Sequence, residues 1–97
     1  ARPVPVPRVA LEQLRVLVLD DEQYFRSLLL RVLERLGIAA RLAAANGREA
    51  LQLLDRQSVP VDVVLLDLRM PEMDGIEFLR EIHDSTHRPA IVFLSGV

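Results

Sequence analysis

Apolar residues in this chain gather into four short runs: Arg15-Val16-Leu17-Val18-Leu19, the alanine-rich Ala39 to Ala44, Val61 to Leu66, and Ala90 to Leu94. Runs of this length predict strands, and the third, whose four consecutive apolar residues lead into Asp67, reads as buried on both faces. The stretches between them change period. Phe25, Leu28, Leu29, Val32, Leu33 and Leu36 follow helical spacing, with Arg26, Arg31, Glu34 and Arg35 on the other side, so an amphipathic helix is expected after Asp21. Gly37 is its expected stop, because glycine accepts the left-handed conformation without a Cβ clash.

A second helix is expected through about Arg56, opening on Asn46-Gly47-Arg48-Glu49 with Ala50, Leu51 and Leu54 inward. A third follows Asp74-Gly75-Ile76-Glu77, with Ile76, Leu79 and Ile82 on one face and Pro89 as its limit. Strand and helix thus alternate with short connections, which implies right-handed crossovers and a doubly wound parallel α/β sheet.

Two of the strands run straight into acid. The first ends in Asp20, Asp21 and Glu22. The third opens into Asp67-Leu68-Arg69-Met70-Pro71-Glu72-Met73-Asp74-Gly75, a loop marked by Pro and Gly. Ligands of open parallel sheets bind at the carboxyl ends of strands. If the two strands are neighbours, Asp20, Asp21 and Asp67 converge, and like charges at close range demand a cation. Carboxylate oxygens without cysteine favour Mg²⁺ or another oxygen-seeking ion. Taken singly, the Asp-Asp pair reads equally as a helix N-cap and Asp67 as a turn residue.

The ordered set resembles the receiver domains of two-component response regulators, from about Leu14 to the last residue. The resemblance rests on Asp20-Asp21, Asp67, the Met70-Pro71 and Met73-Asp74-Gly75 loop, and Ser95 after the fourth apolar run. It implies a flavodoxin-like strand order 2-1-3-4-(5), in which strands one and three are neighbours. Asp67 is then the phospho-acceptor. Asp21, Asp67 and the backbone carbonyl of Arg69 ligate Mg²⁺, Asp20 acts through metal-bound water, and the Ser95 hydroxyl is the switch that bonds the phosphate. The implied partners are a histidine kinase or phosphotransfer protein and an output domain outside this chain, in the cytoplasm. The Leu94-Ser95-Gly96 ending resembles receivers coupled to cyclic di-GMP phosphodiesterases, and Gly96 leaves the phosphate more open to water than the alanine often found there.

Composition narrows the picture further. The chain has 97 residues, 51% hydrophobic, enough for one small domain. Residues 14–97 are expected to form the receiver, and residues 1–13, with Pro3, Pro5 and Pro7, an extended tail or linker. A net charge of −2 argues against direct nucleic-acid binding, and no apolar run approaches a membrane span. All 12 basic residues are Arg. Receivers continue into a fifth strand, a phosphate-binding lysine, an aromatic switch residue and a fifth helix, and this chain stops two residues after Ser95. Starting on Ala1 and stopping there are expected of a segment of a longer protein. An isolated segment would leave the fourth strand as an edge prone to homodimer formation or strand swapping.

Two other functions compete with the phospho-acceptor. One is an interaction module that works without phosphorylation. The other is an aspartate-based phosphohydrolase of the haloacid dehalogenase type, which usually needs a second Asp two residues after the nucleophile, where Arg69 stands. His83 and His87 have metal-pair spacing but no third ligand, and are expected to be helix-end cations. Met70 and Met73 are expected to pack rather than to act in redox chemistry.

Overall fold

The computed structural model describes residues 10–67 and 75–94. Four strands, β1 (Arg15–Leu19), β2 (Ala40–Ala44), β3 (Val63–Asp67) and β4 (Ala90–Leu94), form one parallel sheet in the order β2-β1-β3-β4. Three helices connect them: α1 (Gln23–Arg35), α2 (Gly47–Arg56) and α3 (Gly75–His83). The expected doubly wound order is present over the four strands. The alanine-rich β2 forms in full, because pairing with β1 along its whole length overrides the weak strand preference of alanine. At the end of the expected tail, Leu11–Gln13 make one 3-10 turn before β1.

Alternation along the strands divides the core in two. Leu17, Leu19, Val64 and Leu66 point toward α2 and α3, where they meet Ala50, Leu54, Phe78 and Ile82. Val16 and Val18 point the other way and pack with Leu33 and Ile38 of the α1 layer. Each fully buried side chain of this size contributes roughly 1.5–3 kcal/mol, so the central pair β1 and β3 anchors the sheet. Its lower end is pinned by one residue. Asp62 accepts the Arg15 amide through its carboxylate at 2.8 Å, while its own amide and carbonyl bond Arg15 and Ala90, each at 2.8 Å.

Two helices sit differently from the expectation. On α1 the inward side is Leu29, Leu30 and Leu33, whereas Phe25, Leu28, Val32 and Leu36 are 40–53% exposed. The helix carries more apolar surface than one sheet face can cover, and the sheet takes only one edge of that broad stripe. On α3, Phe78 and Ile82 are buried and Ile76 is 62% exposed. At 100° per residue Ile76 lies 200° from Phe78, so both cannot face the sheet. Gly37 ends α1 as expected, at φ 89°.

Candidate functional site

The site is built by register. Leu19 of β1 pairs with Leu66 of β3, so the next residues, Asp20 just past β1 and Asp67 at the end of β3, stand side by side. One carboxylate oxygen from each of Asp20, Asp21 and Asp67 lies within 4.8 Å of the others. Asp20 and Asp67 are buried and Asp21 is exposed. With Glu22 and Phe25 they line a cleft of about 360 Å³. A larger cavity of about 450 Å³ lies at the opposite end of the sheet, between Leu54, Gln57, Pro60 and Arg88, and gathers no comparable set of carboxylates.

A compact turn delivers the acids. The Asp20 amide still donates to Ala44 at 3.1 Å, as though β1 continued. Asp20 Oδ1 then accepts the Glu22 amide at 2.9 Å, and Glu22 Oε2 accepts the Phe25 amide at 2.8 Å, capping α1. Glu22, not the Asp-Asp pair, is therefore the helix cap, which leaves the Asp21 carboxylate and Asp20 Oδ2 free of capping. Arg26 reaches back from the first turn of α1, and its Nη1 donates to the Asp20 carbonyl at 2.8 Å.

The electrostatics ask for a cation. Asp20 Oδ2 is buried and finds no hydrogen-bond donor among the described residues. Burial pushes the Asp20 carboxyl above the usual carboxylate range; the Glu22 amide opposes this, and the charges of Asp67, Asp21 and Glu22 add to it. An orphaned buried oxygen beside two further carboxylates, all hard donors, fits Mg²⁺.

Of the expected site residues, Asp20, Asp21 and Asp67 are brought together. Arg69, Met70, Met73 and Ser95 lie outside the described residues, although Ser95 directly follows Leu94, the register partner of Asp67. Sequence reasoning missed two contributors. Phe25, expected in the core, walls the cleft, and Arg26, expected on the solvent side, braces Asp20. The signal for Arg26 was its place six residues after Asp20, one helical turn into α1 and within reach of the strand end. The histidines do not form a helical pair. His83 ends α3, and His87 lies beyond it, with Nε2 2.8 Å from Asp55 Oδ1 of α2.

The chain is 43% identical over 88 residues to a protein-glutamate methylesterase/protein-glutamine glutaminase of Treponema denticola, covering 90% of the chain and 23% of that protein. It is 38% identical over 82 residues to the regulatory protein AtoC of Escherichia coli, covering 84% and 17% respectively. The chain thus spans less than a quarter of either relative. Among solved structures, the Mg²⁺-complexed receiver domain of the histidine kinase CKI1 from Arabidopsis thaliana superposes with a TM-score of 0.73 at 31% identity, covering 86% of this chain and 68% of that one. Residues 16–97 match the family described as the response regulator receiver domain, and the chain belongs to that family.

Proposed function

We propose that Asp67 is the phospho-acceptor of this receiver and that Asp20, Asp21 and Asp67, with the Arg69 carbonyl, form its Mg²⁺ site. The observation that carries the reading is the convergence of three carboxylates within 4.8 Å at the end of the central strand pair. Asp67 is the nucleophile because it terminates β3 in the cleft and is buried at 5% exposure, where a charged oxygen has lost much of its water. Its carboxylate oxygen attacks phosphorus, a new O–P bond forms, and the P–N bond of a donor phosphohistidine breaks as the departing imidazole takes up a proton. A Mg²⁺ ion held there would supply neutralising charge for the phosphoryl oxygens. Asp20, held by the Glu22 amide, would help hold the ion with its buried oxygen.

The Ser95 hydroxyl is the readout. It follows the register partner of Asp67, so a hydrogen bond to the aspartyl phosphate would draw the end of β4 toward β3. Residues 14–97 act as the receiver and residues 1–13 as the lead-in. The partners are a cytoplasmic histidine kinase or phosphotransfer protein and an output domain carried elsewhere. A cyclic di-GMP phosphodiesterase is one such output, although the relatives named above are a methylesterase/glutaminase and a regulatory protein.

The test is phosphorylation of the protein by acetyl phosphate with Mg²⁺, followed by intact-mass spectrometry. The unsubstituted protein gains one phosphoryl group and Asp67→Asn gains none. Persistent modification of Asp67→Asn would place the nucleophile elsewhere.

A further inference from the structure

We propose that Arg26 is a positioning residue for the metal site, acting through the Asp20 carbonyl to hold the turn that aims the Asp21 carboxylate. The proposal rests on the reading of the acid cluster as a Mg²⁺ site. Asp21 is exposed, and no hydrogen bond to another described residue fixes its carboxylate. Among the described residues its direction is therefore set by the backbone from Asp20 to Gln23 together with its own side-chain torsions. That backbone is clamped at both ends. On the sheet side the Asp20 amide bonds Ala44, and on the helix side the Glu22 carbonyl accepts the Arg26 amide at 2.9 Å. Between them two bonds cross the turn, that from the Glu22 amide to Asp20 Oδ1 and that from the Arg26 side chain to the Asp20 carbonyl.

The Asp20 carbonyl belongs to a residue with 0% exposure, at the point where β1 has left its strand partners. A buried carbonyl at a strand end needs a donor from outside the ladder. Arg26 Nη1 supplies it at 2.8 Å from a partly buried guanidinium. The bond joins the strand end to the first turn of α1, across the residues that carry Asp21. Without it the Asp20 carbonyl can rotate toward another donor, and the peptide linking it to Asp21 rotates with it.

A role of this kind differs from simple stabilisation. Arg41 supplies the comparison, because its Nη1 donates in the same way to the Ile38 carbonyl at 2.7 Å, beyond the other end of α1. Both bonds stabilise the fold, and only that of Arg26 touches the turn between the aspartates. Groups that orient metal ligands typically change affinity by about 10- to 100-fold when lost.

The experiment is a titration of the full chain with Mg²⁺, followed by the amide shifts of Asp21 and Glu22. Arg26→Ala is expected to weaken Mg²⁺ by about tenfold, with Arg26→Lys recovering most of the loss because it restores a donor. Arg41→Ala should bind Mg²⁺ within about twofold of the unsubstituted protein, even where its unfolding midpoint falls as far as that of Arg26→Ala. Arg26→Gln, which retains a shorter donor, replaces the alanine variant if the latter does not fold, and an intermediate loss is expected. Unchanged affinity in folded Arg26→Ala or Arg26→Gln, or an equal loss in Arg41→Ala, overturns the positioning role alone. Absence of Mg²⁺ binding by the unsubstituted protein overturns the metal-site reading and this proposal with it.

Discussion

Asp20 and Asp67 emerge from adjacent parallel strands whose preceding residues, Leu19 and Leu66, are register partners. The sheet therefore forces two carboxylates together at a buried edge, and the fold must tolerate their repulsion whenever no cation is present.

Asp21 supplies the third carboxylate and the exposed one. Because Mg²⁺ retains several waters and takes few protein ligands, losing one of them removes a large share of its binding. Asp21→Ala should abolish most Mg²⁺ affinity while leaving the unfolding transition nearly unaltered, since an exposed side chain contributes little to packing. Amide shift titration checks this, and unchanged affinity would remove Asp21 from the ligand set.

Asp20 sets a pH dependence whose sign follows from burial. Its carboxyl titrates above the usual carboxylate range in the folded chain, so in the interval between the unfolded and folded values the native state holds a proton that the unfolded chain has released. Stability contributed by Asp20 therefore falls as pH rises through that interval, and the penalty stays in full above it. Without Mg²⁺, Asp20→Asn should be more stable at neutral pH by on the order of 1 kcal/mol, because Asn retains the Oδ1 acceptor for Glu22 and loses the charge. Its denaturation midpoint should also vary less with pH, and added Mg²⁺ should narrow the difference. A neutral-pH midpoint lower in Asp20→Asn than in the unsubstituted protein would contradict this.

Gly37 occupies the left-handed region at φ 89°, and a Cβ placed there would meet no atom within 4 Å. The cost of Gly37→Ala is thus one of backbone conformation alone, about 1–2 kcal/mol. Chemical denaturation should show that loss with Mg²⁺ affinity intact, since Gly37 lies at the far end of α1 from the acids. A loss well under this range would mean that the turn relaxes to negative φ.

Among the described residues β4 pairs only with β3, and its Val92 and Phe93 are 44% and 51% exposed. Exposed apolar edge strands recruit partners. The isolated 97-residue chain should associate with rising concentration in sedimentation velocity, and Phe93→Arg should reduce that association. A monomer at all concentrations, with slowly exchanging β4 amides, would show that the edge is protected by other means.

The four apolar runs were legible as strands because they are short and show no helical period, and burial on both faces holds for the central β1 and β3 but not for β4. Asp20, Asp21 and Asp67 were legible for a related reason, since a carboxylate at the end of such a run has no packing role to explain it. The interior faces of α1 and α3 were legible only in part, through Leu29, Leu33, Leu79 and Ile82. Apolar residues surround more of each helix than the sheet contacts, so periodicity alone did not choose between Phe25 and Leu30, or between Ile76 and Phe78.

The order of elements, the strand-end acids and the family resemblance follow from residues near one another in the chain. Packing was needed to bury Asp20 fully with one oxygen unpartnered among the described residues, to make Glu22 the cap of α1, to bring Arg26 to the Asp20 carbonyl, and to pair His87 with Asp55. The physical reason is reach. Burial and the His87–Asp55 contact depend on strand register and helix rotation, which are set by packing between segments distant in sequence. The roles of Glu22 and Arg26 depend on how one turn of backbone is folded against a sheet edge that exists only after β1, β2 and β3 have assembled.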